Sequence, residues 1–88
     1  MLTVLKFKAD WCGPCKAMNP IMEKLKEEYP TVIFQDVDID DNPQLRHEYA
    51  VRTIPTFVLV KEKKEIARRA SSGTLSDMRD FLNEHRGV

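Results

Sequence analysis

The 88-residue chain has few of the residues that staple or bend a backbone: two cysteines, three glycines, five prolines and a single tryptophan. Two cysteines are too few for the disulfide framework of a small secreted domain, which carries more of them at wider spacing. No run approaches the roughly 18 apolar residues needed to cross a bilayer. The opening Met1-Leu2-Thr3-Val4-Leu5-Lys6-Phe7-Lys8 is interrupted by lysine too early for a signal-peptide core. Charge of one sign is also missing, because 14 basic and 14 acidic side chains cancel with both histidines neutral. A general nucleic-acid binder would show a basic excess. The basic cluster Lys61-Glu62-Lys63-Lys64 is broken by Glu62 and followed by Glu65, which reads as a solvated turn. With 42% apolar and 32% charged residues, the composition fits neither a membrane span nor a disordered tail. The expectation is one domain over residues 1–88, monomeric and cytoplasmic, with no nucleic-acid or membrane partner.

What is present is an ordered alternation of strand and helix patterns. Leu2 to Phe7 reads as a strand, with Leu2, Val4, Lys6 and Lys8 on one face and Thr3, Leu5 and Phe7 on the other. From Cys15 to Tyr29, the apolar residues Met18, Ile21, Met22, Leu25 and Tyr29 recur at helical spacing. Pro20 lies inside that pattern, where the missing donor predicts a kink. Val32-Ile33-Phe34 with Val37 and Ile39 predicts a second strand, apolar on both faces at its start as a central parallel strand is. Asn42-Pro43 reads as an N-cap and first helical residue, with Leu45 and Tyr49 facing inward. After a loop over Val51 to Pro55, Thr56 to Val60 predicts a strand and Glu65 to Ala70 a polar edge strand. Thr74 with Asp77 resembles a capping box ahead of a helix striped by Leu75, Met78 and Leu82. The order β-α-β-α-β-β-α predicts an α/β fold, a mixed four-stranded sheet flanked by three helices, with a right-handed crossover in its βαβ opening.

Between the first strand and the first helix stands Trp11-Cys12-Gly13-Pro14-Cys15-Lys16. A helix N-terminus stabilises a thiolate through its unpaired N–H groups and dipole, and Cys15 lies one turn beyond Cys12. A bridge closing so small a loop stabilises the fold little, which suits a bond that is made and broken. In such a pair Cys12 attacks a substrate disulfide, and Cys15 resolves the mixed disulfide. The reading requires a sulfur at residue 12 that is exposed to a partner. A zinc site would need four ligands, and the other candidates, His47 and His85, do not follow the usual spacing; they read as surface residues. An inert buried pair is the remaining alternative. Cys-x-x-Cys beside a βαβ pattern is the general signature of a thioredoxin-like redox motif.

The resemblance to the thioredoxin family rests on more than that motif. WCGPCK after an apolar strand resembles the family's active site. Ile54-Pro55-Thr56 resembles its cis-proline segment, Val37 to Pro43 its link into the second helix, and Pro20 its kink proline. The likeness runs from about Val4 to Leu82. It implies a minimal thioredoxin fold, expected to lack the strand and helix with which the family usually begins. It also implies a protein-disulfide reductase that uses no cofactor and acts on disulfide-containing proteins. A thioredoxin reductase-type flavoenzyme, or glutathione, would restore its dithiol. It implies a cis Ile54–Pro55 bond, an Ile54 backbone that pairs with an extended substrate segment, and a groove flanked by Trp11, Gly13, Pro14 and Ser71. The short architecture also resembles glutaredoxins, but their usual Pro-Tyr between the cysteines is replaced by Gly-Pro. A glutathione-dependent enzyme and a thioredoxin-fold binding subunit are the alternatives.

Two departures from the family pattern carry expectations of their own. Lys6 stands where the family has a buried aspartate, and Asp36 where it has a lysine, so the charges are exchanged. The expectation is an ion pair between Lys6 and Asp36 beneath Cys15, able to move the proton Cys15 loses; otherwise Lys6 snorkels to solvent. Lys8 stands where the family often has tryptophan, which predicts a more open or more polar rim.

Overall fold

The computed structural model describes residues 1–86; the last two residues of the expected domain lie outside them. Strand β1 is Leu2–Lys8, followed by helical segments α1 (Gly13–Ala17) and α2 (Asn19–Glu28), strand β2 (Ile33–Asp38) and helix α3 (Pro43–Glu48). Strands β3 (Thr56–Lys61) and β4 (Lys64–Arg69) form a hairpin, and α4 (Leu75–His85) follows. The sheet order is β2-β1-β3-β4. β1 runs parallel to β2 and antiparallel to β3, and β4 is antiparallel to β3. The expected mixed four-stranded sheet is therefore present, and its polar last strand lies at an edge.

One strand is placed differently from its expectation. β2 is an edge strand and not a central one. Ile33 is 46% exposed, and Gln35 and Asp36 face solvent. The central positions belong to β1 and β3, where Val4, Phe7, Phe57, Val58 and Leu59 are almost fully buried. Apolar residues on both sides of Val32 to Phe34 reflect burial of Val32 beneath the end of α2, beside Leu25 and Tyr29, and not a strand on either side.

Strand alternation separates two cores. Leu2, Val4, Phe57 and Leu59 pack under α2 and α4 with Met22, Leu25, Met78 and Leu82. Leu5, Phe7 and Val58 pack on the other face with Ala9, Val37, Ile39, Val51 and both cysteines. Leu45 and Tyr49 of the α3 region close this second core from outside, with the Tyr49 ring 5.6 Å from Phe7. Burying each of the larger side chains contributes about 1.5–3 kcal/mol.

The first helix is broken rather than gently kinked. Pro20 has no N–H for the carbonyl one turn back, and at Met18 the bonding tightens to an i→i−3 bond, Met18 N–H to Cys15 O at 3.2 Å. The helix also starts two residues before the expected Cys15, because Cys12 itself is the N-cap. Asn42 holds the N-cap position of α3, but its side chain donates to Asp38 O at 3.1 Å instead of capping. The capping box of α4 is complete, with Asp77 N–H on Thr74 Oγ1 and Thr74 N–H on Asp77 Oδ2. Among the described residues no helix is long and apolar enough to cross a membrane.

Candidate functional site

The site forms where β1 ends. Parallel pairing brings the carboxyl ends of β1 and β2 to the same side of the sheet, the usual place for a site beside parallel strands. Cys12 follows the turn after β1, and its sulfur accepts the Cys15 N–H at 3.1 Å. Cys12 and Cys15 are disulfide-bonded, with Cα atoms 5.3 Å apart. One helical turn accounts for that separation, so the geometry follows from the two-residue spacer.

The expectation of an exposed sulfur at residue 12 is not met in this oxidised form. Cys12 is 5% exposed and Cys15 2%. Capping draws the Cys12 side chain inward over its own helix end, and it packs with Ala9 and Val58 in the second core. Its immediate neighbours are open. Gly13 and Pro14 are exposed, Trp11 is 68% exposed, and the space a Cβ on Gly13 would enter is empty. On the far side stands Ile54, whose carbonyl oxygen is 4.0 Å from Cys12 Sγ. The Ile54–Pro55 bond is cis. Thr56 Oγ1 donates to Thr53 O at 2.6 Å across this loop. Ser71 is exposed on the segment between β4 and α4.

Trp11 has a partner the sequence reading missed. Its Nε1–H donates to Asp40 Oδ2 at 2.9 Å, tying the loop to the β2–α3 link. The available signal was the polar turn that follows a strand parallel to β1. Lys8 sits between Asp10 Oδ1 at 3.0 Å and Asp38 Oδ2 at 3.5 Å. These carboxylates raise its pKa, chiefly through the Asp10 hydrogen bond. The rim there is polar and charged, as expected.

The expected Lys6–Asp36 ion pair does not form. The two residues are register partners on β1 and β2, yet Asp36 is exposed and Lys6 is 2% exposed. Lys6 Nζ donates instead to Cys15 O at 3.0 Å and to Asn19 Oδ1 at 2.8 Å. Nor does Lys6 reach for bulk solvent. The α1–α2 break leaves the Cys15 carbonyl a free lone pair close to β1, whereas Asp36 on an uncovered edge is solvated by water. Burial pushes the Lys6 pKa below its usual value, and the field of Asp36 partly opposes this. Asn19 is a second residue the sequence reading missed. His47 is exposed, and His85 packs edge-on against Phe81. Among the described residues no three His, Cys, Asp or Glu side chains converge as a metal site would require.

Comparison with known proteins agrees with this arrangement. The thioredoxin family model matches residues 1–84. A thioredoxin of Chlamydia trachomatis is 36% identical over 85 residues, covering 97% of this chain and 83% of that protein. An H-type thioredoxin of Fagopyrum esculentum is 42% identical over 67 residues, 76% of this chain and 58% of that one. The crystal structure of thioredoxin from Trypanosoma brucei brucei superposes with a TM-score of 0.91 at 34% identity, covering 100% of this chain and 77% of that one. A family match over nearly the whole sequence, a sheet that superposes closely and a bonded cysteine pair at a helix end lead to one conclusion: the chain belongs to the thioredoxin family and is a protein-disulfide reductase.

Proposed function

We propose that the chain reduces disulfides of other proteins in two exchange steps, with Cys12 as the attacking thiol and Cys15 as the resolving thiol. The observation that carries the assignment is the Cys15 N–H bond to Cys12 Sγ. It places a donor on the sulfur at residue 12, where it favours a thiolate, while among the described residues no donor is bonded to the Cys15 sulfur. In the first step the Cys12 thiolate attacks one sulfur of the substrate disulfide. The substrate S–S bond breaks, and its electron pair leaves with the other substrate sulfur, which takes up a proton. In the second step the Cys15 thiolate attacks Cys12 Sγ, the mixed disulfide breaks, and the second substrate thiolate departs. The substrate gains two electrons, and Cys12–Cys15 becomes the disulfide seen here.

An extended substrate segment fits between the Trp11-Cys12-Gly13-Pro14 loop and Ile54-Pro55. The carbonyl of Ile54 beside the sulfur supports backbone pairing with many unrelated chains, and Ser71 extends the rim. Approach to the buried sulfur requires the open space at Gly13. The dithiol is restored without a bound cofactor by a reductase-type flavoenzyme, with glutathione as the rival donor, in the reducing cytoplasm. Reduction of insulin by the reduced protein tests the reading. Turnover by wild type and none by Cys12→Ser is expected; an inactive wild type or a fully active Cys12→Ser refutes it. Supplying the flavoenzyme or glutathione alone to the oxidised protein identifies the donor.

A further inference from the structure

A lysine is buried directly beneath the resolving cysteine. Lys6 lies on the central strand β1 with its side-chain nitrogen 3.0 Å from the carbonyl oxygen of Cys15 itself, so it bonds the backbone of the residue that carries the resolving thiol. Asn19, at the head of α2, fixes the nitrogen from the other side at 2.8 Å. A polar cleft of about 160 Å³ reaches both residues. It is large and polar enough for water, which gives the Cys15 proton a route out.

We propose that Lys6 is a positioned positive charge that favours the thiolate of Cys15 and thereby sets the rate of the resolving step. This rests on the assignment of Cys15 as the resolving thiol. The charges around Lys6 do not cancel it by direct pairing. Asp36 faces it from β2, Lys8 and Asp10 from the end of β1, Lys16 from α1, and Lys26 and Glu23 from α2. Among the described residues no carboxylate lies within ion-pair distance of Lys6 Nζ; its two hydrogen-bond partners are a carbonyl and an amide oxygen. Both partners of the nitrogen are acceptors, as a protonated amine requires, and the field of Asp36 opposes the desolvation that lowers its pKa. When Cys15 gives up its proton to cleft water, the thiolate forms beside a cation already in place. It then attacks Cys12 Sγ, and the bond from Cys12 to the substrate sulfur breaks.

An opposite charge within about 4–6 Å of a thiol lowers its pKa by about 1–3 units, and the shared field of Asp36 favours the lower end. One unit gives tenfold more thiolate at neutral pH but lowers nucleophilicity about threefold, because reactivity falls with basicity with a slope of about 0.4–0.5. The net effect is a resolving step roughly threefold to fourfold faster near neutrality and about threefold slower above the thiol pKa for as long as Lys6 keeps its proton. The effect changes sign with pH, which a merely structural role of Lys6 would not produce.

The test has two arms. Thiolate absorbance of Cys15, titrated in a Cys12→Ser background, reports the charge effect whether or not the protein turns over substrate. Stopped-flow release of a chromophoric thiol from a mixed disulfide at Cys12 gives the resolving rate against pH. Lys6→Met is expected to raise the Cys15 pKa by about one unit, and its rate profile should cross that of wild type. Lys6→Gln, which keeps a neutral N–H donor, should do the same. Asn19→Ala, which removes a partner but not the charge, should leave the pKa within a few tenths. An unchanged or lowered pKa in both Lys6 variants, or profiles that stay parallel at every pH, overturns the proposal. Loss of turnover without a pKa change would instead point to Cys15 geometry and would count against Lys6 as a charge.

Discussion

Replacing Lys6 by methionine should make the protein more stable. The buried ammonium has given up its hydration, which costs several kcal/mol even after relaxation. It recovers two hydrogen bonds, to Cys15 O and Asn19 Oδ1, each worth about 1.5–3 kcal/mol for a charged donor. Methionine is similar in length and apolar, and it joins a face already lined by Leu2 and Val4. Neither abandoned acceptor is stranded. The Cys15 carbonyl retains the Met18 N–H, and Asn19 is exposed and turns to water. The balance favours Lys6→Met by about 1–4 kcal/mol, by analogy with buried ion pairs replaced by apolar packing. In a chain of this size that corresponds to a melting temperature higher by about 4–8 °C per kcal/mol.

The pH dependence supplies an independent check. The folded-state pKa of Lys6 is lowered, so above that lowered value the unfolded chain binds more protons than the folded one. Stability from this group therefore rises with pH between the lowered value and the ordinary lysine value of 10.5. Urea denaturation of the oxidised protein at neutral and alkaline pH should show the rise in wild type, and Lys6→Met should lack it. A destabilised Lys6→Met would show that Lys6 holds the fold together, and an alkaline rise that survives the substitution would show that another group titrates; either refutes the reasoning. If the proposal for Cys15 holds as well, Lys6 exchanges stability for speed, a common relation at functional sites.

Three further outcomes are expected. Thr74→Ala removes the cap of α4 and should cost about 1 kcal/mol in urea denaturation. Lys63→Gly should stabilise by about 0.5–1 kcal/mol, because Lys63 occupies the β3–β4 turn at φ 67°, where a side chain is strained and glycine is not; calorimetry of the two proteins checks this. On acidification, Asp77 has a folded pKa lowered by its backbone bond to Thr74, so its stabilisation is present above the ordinary aspartate range and is lost as pH falls through the lowered value. Asp77→Asn should flatten that part of an acid denaturation curve, and an unchanged acid limb would count against the capping role.

Local patterns in the chain marked the strands, the helices and the spacing of the cysteine pair. Alternation over Leu2 to Phe7 sorted one face from the other, Pro20 marked the break between α1 and α2, and Thr74 with Asp77 marked the start of α4. Each of these depends on residues within a turn or two of one another, so its physics is contained in a short window. The two-residue spacer likewise brought Cys12 and Cys15 together, since a single helical turn sets their separation. Long-range neighbours were another matter. An apolar start to β2 looks the same whether a second strand or the end of a helix covers it, and only the order β2-β1-β3-β4 places that strand at an edge. Register put Lys6 opposite Asp36, but which acceptor the ammonium takes depends on where water reaches. Asp36 lies on an uncovered edge, where hydration competes for it, while the helix break presents the Cys15 carbonyl to a buried amine. Trp11 and Asp40 meet only because the ends of two parallel strands lie side by side. Hydrogen-bond partners of buried or converging groups are chosen by solvent access and by the packing of distant segments, and neither is written in any local stretch of sequence.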